Sequence, residues 1–167
     1  MSHPVIIVEY NPKWPEIYEK EKTNILQAIG EKVLSIDHIG STAVHGLGSK
    51  NIVDMMVGLD GEETADEILP LLEEIGYDDV TSEPGVDDWH YCLGKKRVNG
   101  YFHLHLVTHG SEHQRRHIQF RDYLRNNPEA ATEYYYLKVE MAEKYKVERE
   151  KYTESKTQFI EKALSEA

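Results

Sequence analysis

Residues 38–59 read HIGSTAVHGLGSKNIVDMMVGL, a Gly-Ser turn followed by a glycine-containing segment and then by an apolar run that holds one acid. Gly40 permits a tight backbone turn, and Ser41, with Thr42 beside it, offers hydroxyl and N–H groups to phosphate oxygens. Asp54 is suited to bring a hard cation to the same oxygens. The stretch predicts an incomplete nucleotide-handling site, although Gly-Ser is also typical of a simple turn and a strand acid of an ion pair.

Two predicted strands bring further polar side chains to this region. Side chains alternate along a strand, so in Ile52–Leu59 the Asp54 carboxylate shares a face with Met56. In residues 101–107, Phe102, Leu104 and Leu106 point into the predicted core, and His103 and His105 point the other way. Two imidazoles one residue apart can reach one metal or one phosphate, but they are equally typical of an exposed sheet face. Lys50, before the Asp54 strand, is either solvated or within reach of a phosphate.

The remaining periodicity predicts a sheet-forming front two-thirds and a helical rear third, which favours an α+β fold. We predict helices from Trp14 to Ile29, over residues 62–75 and over residues 112–127, and a further helix beginning at Pro128. The rear third is predicted to form one long or two shorter helices. The sequence further predicts strands at 5–8, 33–36, 77–80 and 89–93, a brief helix over 41–47, a loop over 82–88, and a hairpin tip GKKRVNG at 94–100.

Length and composition restrict the class of protein. A chain of 167 residues and 19.3 kDa predicts a single domain over residues 1–167. The formal charge of -11 disfavours nonspecific binding to nucleic acid or to anionic membranes. The lone Cys92 forms no internal disulfide, and no segment has the length of a membrane span, so a soluble, cytoplasmic protein is expected.

Taken together, these residues resemble the GrpB family, whose members look like minimal relatives of the DNA-polymerase-β-like nucleotidyltransferases. The resemblance runs through most of the chain and is strongest in four segments: HIGSTAV at 38–44, K-x-I-V-D at 50–54, HLHLV at 103–107 and FRDYLR at 120–125. It implies a nucleotidyltransferase-like mixed β-sheet flanked by helices. It also implies that the Gly-Ser turn opens a short helix near the first catalytic-type acid.

The resemblance also assigns roles to residues. Asp54 matches the first acid of active nucleotidyltransferases, Met56 occupies the position of the second, and His103 or His105 stands where a third would come from a later strand. His45 replaces the proline usual in the family. A divalent metal is therefore expected to be Mg²⁺ or Mn²⁺ by resemblance, but Zn²⁺ or Ni²⁺ by ligand type. The implied catalytic and metal residues are Asp54, His103 and His105, and the implied phosphate-binding residues are Gly40, Ser41, Thr42, Lys50 and Arg121.

Two functions from different classes follow from the resemblance. The first is metal-dependent transfer of a nucleotidyl group to a small acceptor, with Lys50 or Arg121 balancing charge. The second is a catalytically degenerate binding or accessory module for a nucleotide, a CoA-like molecule or another phosphorylated ligand, which Met56 and the family's fusions to dephospho-CoA kinase favour. A third reading is a remnant pocket, with the helical rear third contacting other proteins. Either of the first two predicts a phosphorylated small molecule as the partner.

Overall fold

The computed structural model of the protein describes residues 4–82 and 88–167. Five strands form one mixed sheet in the order β1-β2-β5-β4-β3, in which β2 and β5 are parallel and the other pairs are antiparallel. The strands are β1 Ser35–Ile39, β2 Ile52–Leu59, β3 Asp78–Thr81, β4 Tyr91–Arg97 and β5 Gly100–Thr108. The helices are α1 Trp14–Ile29, α2 Glu62–Glu74, α3 Glu112–Asn126, α4 Pro128–Lys144, α5 Arg149–Ser155 and α6 Thr157–Glu166. The predicted mixed sheet flanked by helices, with a helical C-terminal third, is confirmed.

One face of the sheet holds the main hydrophobic core. As predicted, Phe102, Leu104 and Leu106 of β5 point into it and lie among the buried residues of β2 and the helices α1 and α2. Each large apolar side chain buried there contributes about 1.5 to 3 kcal/mol relative to an exposed one. This core fixes which side chains of β2 and β5 point to the opposite face.

The opposite face carries the polar residues of β2 and β5. It is not simply open to solvent, because α3 packs across β1 and β5. Ile39, Met56 and Val107 form a small buried apolar cluster on this face. The side chains of His103 and His105 are 31% and 16% exposed, so the two imidazoles lie in a partly enclosed environment.

The helices begin and end where local chemistry allows. Pro15 occupies the first turn of α1, and Pro128 begins α4 as predicted, because proline lacks the N–H that is unpaired there anyway. The Ser111 hydroxyl caps α3 by accepting a hydrogen bond from the Gln114 N–H at 3.3 Å. No helix in residues 4–82 or 88–167 is both long enough and apolar enough to cross a bilayer.

Several predicted boundaries were wrong because long-range contacts override local pattern. The rear third forms three helices, and the Val5 N–H donates to the Lys146 carbonyl at 2.9 Å between the first two of them. Val5 to Val8 form no strand among the described residues; Val8 makes an isolated bridge to Ser49. The brief helix over 41–47 is a single 3-10 turn, Ser41–Ala43. Of the predicted loop over 82–88, residues 83–87 lie outside the described residues.

The strand boundaries also shifted. The first and third strands are Ser35–Ile39 and Asp78–Thr81 rather than 33–36 and 77–80. The predicted basic tip at 94–100 is largely strand, since β4 continues to Arg97 and only two residues separate it from β5. Lys95 does not lie at a solvated tip, because its ammonium is 2.8 Å from a carboxylate oxygen of Glu21 on α1. Tyr77 donates to the same oxygen at 3.0 Å.

Replacing Lys95 is expected to destabilise the fold. The Glu21 side chain is only 5% exposed, so Lys95→Met leaves a buried carboxylate without its cation. Breaking a buried pair in this way costs about 3 to 5 kcal/mol, which urea unfolding of the purified variant measures. Lys20→Met is the matched control on α1, because the Lys20–Glu16 pair at 3.2 Å is exposed and contributes about 0 to 1 kcal/mol. Equal losses in the two variants would contradict the assignment.

Candidate functional site

Asp54 lies at the centre of the polar face of the sheet. In register it stands between Ile39 of β1 and His103 of β5. Its Oδ1 is 3.6 Å from His103 Nδ1 and 3.4 Å from His105 Nε2. Burial favours a raised pKa, but the hydrogen bond and the charge of His105, with smaller electrostatic effects of His103 and Lys50, outweigh it and hold the pKa of Asp54 below its ordinary value. Asp54 is therefore an ionised carboxylate against two imidazoles.

The Gly-Ser turn packs directly against this carboxylate. Gly40 has φ +74°, and a Cβ built on it would lie 2.7 Å from Asp54 Oδ2. The next residue, Ser41, is a hydrogen-bond partner of the buried Tyr134 on α4. The hydroxyl of Thr42 is engaged elsewhere, 2.8 Å from His38 Nε2. Of the predicted phosphate-binding turn, Gly40 therefore adjoins the acid, whereas the side chains of Ser41 and Thr42 have partners in Tyr134 and His38.

His105 connects the acid to more imidazoles. Burial lowers its pKa, but the partners Asp54 and Cys92 prevail and raise it to about 10, so His105 is a cation at neutral pH. Its Nδ1 lies 3.0 Å from His90 Nε2, and the His90 and His105 rings stack. His113 and His117 on α3 continue the row, with ring centroids 4.7 Å apart. This row extends the site from the sheet to α3.

Three histidines near the site, His90, His113 and His117, were not predicted from the sequence. A usable signal was present, because residues 113 and 117 are four apart and share one face of the predicted helix that follows the histidine strand. His90 gave no such signal. It falls in the predicted strand 89–93, but β4 begins only at Tyr91, and its register depends on long-range pairing.

The donor set does not fit a hard divalent cation. Met56 lies in the second acid position and is buried in the apolar cluster. Asp37 of β1 is opposite Met56 in register, but its carboxylate is 3.8 Å from Arg121 Nη1. Within residues 4–82 and 88–167, no group of three or more His, Cys, Asp or Glu side chains is arranged to hold a metal ion. The chemistry considered below therefore uses only the side chains of this protein.

The predicted basic residues lie in different settings. Arg121 is fixed against β1, where Nη1 donates to the His38 carbonyl at 3.1 Å and Nε to Asp122 at 2.9 Å. Lys50 interacts electrostatically with Asp54, and its ammonium lies 5.2 Å from the centre of the Tyr152 ring. Burial and the nearby Arg149 lower the pKa of Lys50. Of the predicted basic residues, Lys50 is therefore the one whose charge acts on the Asp54 carboxylate.

Helices α4 to α6 bring basic residues to the same place that the sequence analysis did not select. Lys138 and Lys156 interact electrostatically with Lys50, as does Arg149. Nothing in a Lys- and Glu-rich helical sequence distinguishes such residues from solvated ones, because their convergence depends on how the three helices pack on the sheet.

Comparison with known proteins agrees with the architecture. The profile of the family described as GrpB protein matches residues 4–166. Glutamate-rich protein GrpB of Alkalihalophilus pseudofirmus is 33% identical over 97% of this chain and 95% of its own. Dephospho-CoA kinase of Mycobacterium tuberculosis is 29% identical over 82% of this chain, which corresponds to 39% of that longer protein.

Solved structures give a similar picture. The crystal structure of conserved protein GrpB from Enterococcus faecalis superposes with a TM-score of 0.85 at 34% identity, covering 96% of both chains. The structure of Cid1 in complex with its short product ApU reaches a TM-score of 0.48 at 16% identity, covering 81% of this chain and 40% of that one. The family profile, the relatives and the shared fold show that this chain belongs to the GrpB family.

Proposed function

We propose that this protein binds a nucleotide or another phosphorylated small molecule at the polar face of the sheet, beside Asp54. One observation carries the proposal. The Gly-Ser turn, the Asp54 carboxylate and the His103 and His105 imidazoles converge on one side of the sheet, and Lys50 interacts electrostatically with the carboxylate. Imidazolium and ammonium groups provide the charge-assisted hydrogen bonds that phosphoryl oxygens accept.

Charge favours an anionic ligand over a neutral one. His105 is cationic, and Lys50 adds a second positive charge close to the same carboxylate. Buried charges are stable only when they are paired, so a site with more cations than anions favours a ligand that brings negative charge. The dephospho-CoA kinase relative is named for a reaction on a phosphorylated molecule, which is compatible with this ligand class.

The binding proposal is tested by thermal unfolding of the purified protein in a chelator-containing buffer. At a concentration about 100 times its dissociation constant, ATP is expected to stabilise the protein by about 2.7 kcal/mol, or roughly 5 to 10 °C in Tm. CoA serves as a second phosphorylated probe, and adenosine, which lacks phosphate, is expected to give no shift. The absence of a shift with every phosphorylated compound would refute the proposal.

Nucleotidyl transfer is the second candidate, favoured by the contact between the Gly-Ser turn and Asp54. In such a step an acceptor hydroxyl oxygen attacks the α-phosphorus of a nucleoside triphosphate. The bond between that phosphorus and the bridging oxygen breaks, and pyrophosphate leaves with the electron pair. The ionised Asp54 accepts the hydroxyl proton, and the His105 imidazolium stabilises negative charge on the phosphoryl oxygens.

The substitution Asp54→Asn separates the two candidates. It removes the proton acceptor, and although His105 loses the partner that raises its pKa, the site also loses a negative charge that repels the ligand. The ATP-induced shift in Tm is therefore expected to persist while pyrophosphate release from labelled nucleoside triphosphates is lost. Release is measured with Mg²⁺, with Mn²⁺ and with chelator, so that metal dependence is part of the result. Asp60→Asn, at an exposed acid just after β2, is the matched control and retains both signals. Binding without release in the unsubstituted protein under every condition would leave the binding function alone.

A further inference from the structure

Four basic side chains interact electrostatically with one another near the Asp54 site. Lys50 precedes β2, Lys138 lies on α4, Arg149 begins α5 and Lys156 lies between α5 and α6. Lys50 interacts electrostatically with each of the other three. We refer to these four residues as the basic cluster.

The basic cluster is buried to different degrees. The side chain of Lys138 is only 1% exposed, and its ammonium donates to the Gly48 carbonyl at 2.6 Å. Lys50, Arg149 and Lys156 are partly buried. Burial and the neighbouring lysines lower the pKa of Lys138 to about 6, and burial with Lys50 lowers that of Lys156 to about 7. Each basic group therefore opposes protonation of the others, and the cluster takes up protons when negative charge is brought to it.

The described residues do not neutralise this charge. Among residues 4–82 and 88–167, none of the four basic side chains forms an ion pair within 4 Å. Asp54 is the carboxylate that attenuates the repulsion, since its charge acts to raise the pKa of Lys50 and Lys156. This repulsion destabilises the folded protein, and a bound polyanion stabilises it by pairing with the basic groups.

A buried hydroxyl in the same place gives a second, independent observation. Tyr152 of α5 is 0% exposed, and its Oη has no hydrogen-bond partner in the part of the chain that the structure describes. Its ring centre lies 4.5 Å from Lys156 Nζ and 5.2 Å from Lys50 Nζ. A buried hydroxyl without a partner destabilises the folded protein, and an acceptor oxygen supplied by a ligand removes that destabilisation.

We propose that the basic cluster and Tyr152 form a polyphosphate subsite, which selects a ligand with a di- or triphosphate chain over one with a single phosphate. This inference rests on the proposed function, because it assumes that a phosphorylated molecule binds at the Asp54 face. A single phosphate brings roughly 1.5 to 2 negative charges, less than four basic side chains can balance once a bound anion favours their protonation. A triphosphate chain supplies more negative charge and enough oxygens to contact several of the lysines and the Tyr152 hydroxyl.

Isothermal titration calorimetry with inorganic tripolyphosphate, pyrophosphate and phosphate tests the subsite in chelator-containing buffer. Tripolyphosphate is expected to bind most tightly and phosphate most weakly. Lys156→Met and Lys50→Met are each expected to weaken tripolyphosphate binding about tenfold to a hundredfold, the effect of one charge-assisted hydrogen bond. Lys162→Met, at an exposed lysine on α6, is the matched control and leaves the affinity unchanged.

A melt without ligand checks folding in the same variants. Removing one of several repelling cations is expected to leave the Tm unchanged or to raise it, so weaker binding cannot then be ascribed to unfolding. Binding of ATP that neither Lys156→Met nor Lys50→Met weakens would overturn the subsite and leave the proposed function standing. Equal affinity for phosphate and tripolyphosphate would also overturn it, and failure of every phosphorylated probe to bind would refute both.

Discussion

The substitution Gly40→Ala is expected to lower the free energy of unfolding by roughly 2 to 5 kcal/mol. Gly40 has φ +74° and ψ -176°, a backbone conformation that is essentially restricted to glycine. The added Cβ would also lie 2.7 Å from Asp54 Oδ2 and 3.2 Å from Asp54 Cβ, so the acid has to move. Urea unfolding measures the loss, and the ATP-induced shift in Tm is expected to fall as the turn and the carboxylate separate.

Gly46→Ala is the control for this prediction. Gly46 also has a positive φ, +83°, but a Cβ built there meets no atom within 4 Å. The control therefore contains the backbone strain without the collision, and we expect a smaller loss that leaves the ATP-induced shift intact. If the two variants lose the same free energy and the same response to ATP, the contact between the turn and Asp54 has no special role.

Acidification is expected to destabilise the protein strongly between about pH 6.5 and pH 4. Burial, as the largest cause, lowers the pKa of His38 and of His90 to about 4, against an ordinary value of 6.5. Both imidazoles are neutral in the folded protein within this range, while the unfolded chain binds protons. Stability is therefore complete above the ordinary value and is lost as the pH falls, by about 3 kcal/mol for each histidine.

His105 does not offset this loss. Its pKa is raised to about 10, so its contribution is fully present below pH 6.5 and declines only as the pH rises towards 10. It thus stays constant throughout the acidic window. These histidines therefore predict a decline in stability on the acidic side of neutral pH.

His38 provides the experimental handle, because its ring packs against Tyr18 of α1 and is not one of the predicted site residues. Its ring stacks on Tyr18 at 4.7 Å, and its Nε2 is paired with Thr42. His38→Gln keeps a polar group near Nε2 but does not titrate, so the variant should lose about 3 kcal/mol less than the unsubstituted protein between pH 7 and pH 4. His45→Gln, at an exposed histidine, is the control for urea unfolding across this range. Parallel pH profiles for His38→Gln and the unsubstituted protein would disprove the assignment.

The sequence predicted those parts of the fold that depend on local pattern. Alternation alone indicated that Phe102, Leu104 and Leu106 face the core, because period-two burial is a property of any half-buried strand. The same alternation placed His103 and His105 together on the face opposite that core. The resemblance placed these histidines in one site with Asp54 and the Gly-Ser turn, which alternation along a single strand could not show.

What the sequence did not predict depends on contacts between distant segments. Lys95 looked like part of a solvated hairpin tip, and only the buried Glu21 on another element explains its place inside the protein. Lys138 and Lys156 have the composition of an exposed helix, yet packing of the rear helices turns them towards Lys50. Sequence spacing likewise does not show that the Thr42 hydroxyl pairs with His38 or that Arg121 donates to the His38 carbonyl. Nor does it show whether the side chains around Asp54 fit a metal.

The parallel pairing at the centre of the sheet has a kinetic consequence. Ile52 pairs with Tyr101, so the two strands meet only after the intervening chain has closed a long loop, whereas β4 and β5 are joined by a two-residue turn. Hairpins form within about 1 to 10 μs, while non-local strand pairing slows folding. The later hairpin is therefore expected to assemble before the earlier strand docks on it, and Asp54 reaches its imidazole partners only in that last, slow step.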